Sequence, residues 1–211
     1  MSSKRHSVLP AIDRSGPRPP VHFSSSLTIS DNAILQGTHS ITMQTETVIH
    51  PRSRFESNFG PILIGRRCLV HERTHVGARP ADTNNAKPGG IALADYVTIE
   101  AGSVIEAGGT EIGEGSVVHA GSTVGSGARI GKVDMNLFKL HEQEADDFEN
   151  CTITQMSNIA PGTVLPDNTV VFSNGTRRID RRDLSDQRKV ALVKQLAILR
   201  KMIPSNADKF K

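Results

Sequence analysis

Along residues 93–131 an aliphatic side chain returns about every six positions, and this constrains the chain more than any other feature. The series is Leu93, Ile99, Ile105, Ile112, Val118, Val124 and Ile130, with a single seven-residue step. Three residues after five of these stands a glycine: Gly102, Gly108, Gly115, Gly121 and Gly127. One residue further on, the side chain is small: Ser103, Gly109, Ser116, Ser122, Ala128. A period of six fits neither an α-helix nor an alternating hairpin strand, and is the hexapeptide signature of a parallel β-helix.

One unit explains the pattern. Side chains alternate across a strand, so residues i−2 and i point the same way. A small residue and a large aliphatic one therefore share each inward face. The chain must then corner, and glycine accepts the positive φ that other residues resist. Repetition winds a prism whose strands pair with the coils on either side.

The repeat reaches beyond this block. Upstream, Met43, Ile49, Phe55, Ile64, Val70 and Val76 carry it, with Thr47, Ser53, Cys68 and Thr74 in small inward slots. Before Met43 the register is ambiguous, since Ile29, Leu35 and Ile41 fit a frame offset by two. Downstream, Ile153, Ile159, Leu165 and Val171 recur at intervals of six, with Ser157, Thr163 and Thr169 between them. Asn168 takes a corner that glycine holds elsewhere, which suits its tolerance of left-handed backbone. The fold expected is an all-β solenoid, a left-handed parallel β-helix over residues 25–175, with a C-terminal α-helix.

The rest of the chain divides around that solenoid. Residues 1–24 are basic and Pro-rich, with no periodicity, and are expected to be a disordered tail. A loop at 78–90 and an acidic insertion at 133–150 leave the coils. Val190, Val193, Leu196, Ala197, Leu199 and Ile203 recur at helical spacing before Pro204 and predict an amphipathic helix over 184–203. Aromatics are 4% and Trp is absent, as expected of a narrow core filled by Ile, Val and Leu. Two cysteines give no disulfide framework, so a reduced, cytosolic setting is expected. No apolar run reaches the ~18 residues of a membrane span, and the N-terminal stretch lacks the apolar core of a secretory signal. The net charge of +3 is too small to argue for nucleic acid.

With three hexads per coil, the outward residues fall into three columns. The first collects Val48, Leu69, Thr98, Val117, Thr152 and Val170, has no charge, and is read as a docking face for the C-terminal helix or for a partner. The second collects Arg54, His75, Val104, Thr123 and Asn158, and the third Leu63, Ala92, Glu111, Arg129 and Val164. The end face of the first coil is expected to receive another subunit or to be closed by residues 15–26.

TETVIHPRSRF at 45–55, GPILIG at 60–65 and LPDNTVVFSNGTRR at 165–178 before a helix resemble the dynactin subunit 6 family. These are β-helix subunits of the dynactin pointed-end complex. The resemblance spans about residues 40–203. The basic tail and the long acidic insertion depart from the family pattern. The resemblance implies a non-catalytic structural subunit supporting dynein-driven microtubule transport, in the cytoplasm and cytoskeleton. It implies pairing with dynactin subunit 5 and other pointed-end subunits, attachment of cargo adaptors, and no cofactor, metal or catalytic residue.

The alternative is a hexapeptide-repeat enzyme, either a gamma-class carbonic anhydrase-like zinc homotrimer or an acyltransferase. His50, His71 and His119 fall at one corner, with Glu100 between the last two. Zinc needs three imidazoles at about 2.0–2.1 Å, and His119 lies two coils, about 10 Å, beyond His71. A second subunit would have to complete such a site, and His75 on the neighbouring face does not help. The reading preferred for these residues is solvated corner histidines. For an acyltransferase the loop residue available as a general base is His141. The Arg177–Arg188 cluster is interleaved with Asp180, Asp183 and Asp186, and reads as a solvated linker and helix start.

Overall fold

The computed structural model describes residues 16–81, 88–131, 150–182 and 184–210. Short parallel strands wind into a left-handed β-helix with three sheets as its walls. Sheet 1 stacks β1 (Val21–Phe23), β4 (Ile41–Met43), β7 (Ile62–Ile64), β10 (Ile91–Leu93), β13 (Thr110–Ile112), β16 (Arg129–Ile130) and β19 (Val164–Leu165). Sheet 2 stacks β2 (Thr28–Ile29), β5 (Val48–Ile49), β8 (Leu69–Val70), β11 (Thr98–Ile99), β14 (Val117–Val118), β17 (Thr152–Ile153) and β20 (Thr169–Val171). Sheet 3 stacks β3 (Ile34–Gly37), β6 (Arg54–Ser57), β9 (His75–Ala78), β12 (Val104–Glu106), β15 (Thr123–Val124) and β18 (Asn158–Ile159). A strand β21 (Arg177–Ile179) turns back antiparallel on β20.

The inward aliphatics form one continuous core, from Ile29 and Met43 through Ile99, Ile105 and Ile112 to Leu165 and Val171. The small inward slots are buried too: Thr47, Ser53, Ser103, Ser116 and Ser122 are all 0% exposed. Their hydroxyls are satisfied by backbone carbonyls or amides, as when Ser53 Oγ donates to His50 O at 2.7 Å and Ser122 Oγ to Thr154 O at 2.8 Å. That satisfaction is what lets a polar atom sit inside the prism without a desolvation penalty.

The register of the early coils is resolved. Ile29 pairs with Ile49 and Leu35 with Phe55, so both keep phase with the later inward columns. The apparent offset comes from extra residues at the corners after Gly37 and Ser57. The second of these is tight: a Cβ on Gly60 would lie 2.5 Å from the backbone nitrogen of Gly90 in the coil stacked on it.

Helix α1 (Ser185–Met202) lies on sheet 2. Its Leu192 and Leu196 bury against Val48 and Leu69, with Tyr96, Leu199 and Ile203 around them. Burying each such side chain stabilises by about 1.5–3 kcal/mol, which is ample to hold one helix. Arg188 Nη1 donates to Thr152 Oγ1 at 3.1 Å and Lys189 Nζ to Glu114 Oε1 at 2.6 Å near its start.

Two expectations about the chain ends are corrected. Strand β1 occupies Val21–Phe23, inside the segment read as a tail, because its backbone pairs with β4. The β2 edge of the first coil is covered by the C-terminal segment, which neither expectation about that end face named. Asn206 N donates to Ile29 O at 3.1 Å, Ile29 N donates to Ser205 Oγ at 3.0 Å, and Ala207 and Phe210 pack on the core. A sheet edge that would otherwise invite pairing is covered from within the chain.

Candidate functional site: a corner ladder of histidines and a glutamate

The corner between sheets 2 and 3 follows β5, β8, β11 and β14. There stand His50, His71, Glu100 and His119, one per coil. Each is fixed by a backbone bond to the next coil: His50 N to Val70 O, His71 N to Ile99 O, Glu100 N to Val118 O, His119 N to Ile153 O, at 2.8–2.9 Å.

In the upper half of this ladder burial disfavours the charged imidazolium. The His50 and His71 rings stack with centroids 4.8 Å apart and planes at 29°. Burial lowers the pKa of His50, and the neighbouring His71 ring lowers it further. Burial likewise lowers that of His71, partly offset by Glu100 and Glu72. His50 Nε2 is buried and has no hydrogen-bond partner.

The lower half is a dyad. His119 Nδ1 lies 3.0 Å from Glu100 Oε1, and both side chains are about one-third exposed. The other carboxylate oxygen, Oε2, accepts from Ala120 N at 3.0 Å, which fixes its plane. The approach of Nδ1 to Oε1 is a polar contact within ion-pair distance and not an aligned hydrogen bond. An imidazole and a carboxylate side by side are the residue types from which a base and its orienting group can be built. Beside it, the exposed Met156 crosses the corner so closely that a Cβ on Gly121 would lie 2.5 Å from its Sδ.

On sheet 3 a second polar group adjoins the ladder. Arg54 Nη2 contacts Glu56 Oε1 at 2.5 Å and donates to Gln36 Oε1 at 3.0 Å. His75 Nε2 is 3.3 Å from Glu56 Oε2 but out of line for a hydrogen bond, so it counts as a polar contact only. Burial lowers the pKa of His75 against the opposing pull of Glu56.

The register places the residues of all three outward columns as expected. In the first column, Val48 and Leu69 are fully buried under the helix. Thr98, Val117 and Thr152 are half-buried, and Val170 pairs with Arg178 of β21. Among the described residues no three His, Cys, Asp or Glu side chains come together to hold a metal. His141 and the acidic insertion up to residue 149 lie outside the described residues. Sequence reasoning placed Glu100 next to His119 but read the pair as solvated; the 3.0 Å contact is what it missed.

No protein-family model and no curated protein matches the chain. Solved structures do. A Bacillus cereus protein described as an acetyltransferase superposes with TM-score 0.64 at 18% identity, covering 89% of this chain and 98% of its own. A hexapeptide transferase family protein from Anaplasma phagocytophilum gives TM-score 0.62 at 13% identity, covering 89% and 96%. At these identities the likeness establishes the fold, the left-handed β-helix of hexapeptide-repeat proteins.

Two expectations are corrected by these matches. The proteins sharing the fold are described as transferases, which contradicts the reading of a chain without catalytic chemistry. Neither of these two is described as a dynactin component, and the pointed-end assignment, its subunit 5 partner and its transport role are not supported. The peptide runs behind that resemblance fall on strands and corners of the coils and on the antiparallel return of β21. Among the described residues no helix is long and apolar enough to cross a membrane.

Proposed function

We propose that this chain is a hexapeptide-repeat acyltransferase whose general base is His119, oriented by Glu100. The observation that carries the reading is the 3.0 Å contact between His119 Nδ1 and Glu100 Oε1 at a solvent-reachable corner. The transferase descriptions of two proteins with this fold support the reaction class.

The chemistry uses one proton shuttle. His119 Nε2 takes the proton of an acceptor hydroxyl or amine as that atom attacks the carbonyl carbon of an acyl thioester. The tetrahedral intermediate collapses with cleavage of the C–S bond. The imidazolium returns the proton to the departing thiolate, giving an ester or amide and a free thiol. Glu100 touches no reacting atom; it stabilises the imidazolium and fixes the ring. Met156 supplies an apolar wall beside the ring for the acyl chain.

Thiol release from acetyl-coenzyme A tests this, first with water as acceptor and then with amines and alcohols. His119→Ala is expected to lower the rate by about 10²–10⁴-fold, the usual worth of a positioned base. A blank-level rate for the wild-type chain, or an unchanged rate in the variant, overturns the reading.

A further inference from the structure

At another corner, between sheets 1 and 2, a cleft of about 370 Å³ runs along the coils, lined by Ser26, Thr45, Glu46, Arg66, Arg67 and Tyr96. It lies in the volume range of small-molecule sites. We propose that this cleft binds a small organic oxyanion, a molecule bearing a phosphate or carboxylate group, at a site separate from the His119 corner. Tyr96 and Glu100 sit four residues apart on one coil, so at full extension about 13 Å separates the two corners.

Three observations carry this. The guanidinium of Arg66 is held from behind: its Nε donates to Asp95 Oδ2 at 2.7 Å, and its backbone N donates to Asp95 Oδ1 at 2.6 Å. Asp95 is 9% exposed, while the Arg66 side chain is 65% exposed and its terminal nitrogens have no protein partner among the described residues. The second fork, Arg67, is equally fixed, with Nε donating to Glu46 Oε2 and Nη1 to Tyr96 Oη, both at 2.5 Å, leaving Nη2 unspent. Arginine forks match carboxylate and phosphate geometry, and forks already immobilised lose little entropy on binding.

The charge balance agrees. Arg66, Arg67, Lys189 and Arg200 face Glu46, Asp95 and Glu114 in the ion pairs around the cleft, leaving one cation in surplus. Lys189 also sits over the Tyr96 ring at 4.7 Å, which keeps its charge beside the opening. The side chains are aimed by an unusual backbone. Glu46, Arg67 and Tyr96 hold φ of 59°, 55° and 58° at a corner where the next coil has Gly115. Arg52 and Arg73 do the same at the neighbouring corner. Among the described residues, those at this corner are tied into one hydrogen-bonded row along a cleft.

The experiment is a calorimetric and amide-shift titration of the full chain with inorganic phosphate and with succinate, at constant ionic strength against chloride. Saturable binding with a dissociation constant of about 1 mM or tighter is expected, with amide shifts at Arg66, Arg67 and Tyr96. Arg66→Lys keeps the charge but loses the fork, and is expected to weaken binding at least ~10-fold. Tyr96→Phe, which frees Arg67, is a second variant should Arg66→Lys not fold. Binding of phosphate alone identifies a phosphoryl ligand, of succinate alone a carboxylate ligand, and of both a general oxyanion site. His119→Ala is expected to bind as the wild type does, so loss of the transferase reading leaves this one standing. No saturable binding of either anion, or wild-type affinity in both cleft variants, overturns it.

Discussion

At the scale of single residues, the fold is set by which side chains tolerate a corner. Gly102, Gly115, Gly121 and Gly127 take φ of 66–70°, and Asn168 takes 56°, all readable from the sequence. Glu46, Arg67, Tyr96 and Met156 occupy equivalent positions with left-handed backbone and gave no such signal. The cost is roughly 1–3 kcal/mol each, small enough for side-chain contacts to offset. Periodicity reveals glycine corners and hides those where a large side chain takes the same backbone. Burial of His50, His71 and His75 also has a consequence for pH. Each has its pKa lowered on folding, so the unfolded chain binds more protons as the solution becomes acidic. Their stabilising contribution is fully present above the unfolded value near ~6.5 and is lost as pH falls through the lower folded values. Urea midpoints between pH 8 and pH 5 should therefore drop toward acid. The His50→Gln/His71→Gln double variant should flatten that slope, and an unchanged slope would refute the assignment.

At the scale of elements, a C-terminal helix was legible and its seating was not. The helical spacing of Val190, Val193, Leu196, Leu199 and Ile203 predicts the element, yet Val190 is 53% exposed while Leu192 is buried. The helix carries aliphatics on several sides, so its own sequence does not decide which side packs. The sheet decides: Val48 and Leu69 are the large adjacent aliphatics of the first column, and Leu192 and Leu196 meet them. Val117, one coil beyond Thr98, is only half-buried, so a substitution there is a weak probe of docking. Leu196→Ala is the direct one. It should cost about 2–5 kcal/mol of helix docking, seen as early loss of the helical signal on heating while the β signal persists. Simultaneous loss of both signals at the wild-type midpoint would show that the helix is not held by this contact.

At the scale of the whole molecule, the hexad period alone is enough to give three walls and the order of every outward column. It is blind to contacts that join distant parts of the chain. Ser205 meets Ile29 across 176 residues, and that closure of the first coil has no periodic signature. The same blindness hid the chemistry. Glu100 and His119 are placed side by side by the winding, but only the side-chain geometry brings Nδ1 within 3.0 Å of Oε1, the contact on which the proposed base rests. An acidic residue that works solely by orienting a base should be worthless once the base is gone. The decisive measurement is a double-mutant cycle on thiol release from acetyl-coenzyme A, using His119→Ala, Glu100→Gln and the two combined. The combined variant should be no slower than His119→Ala alone, with Glu100→Gln by itself clearly impaired. Losses that multiply, or a His119→Ala rate equal to the wild type, would contradict the account.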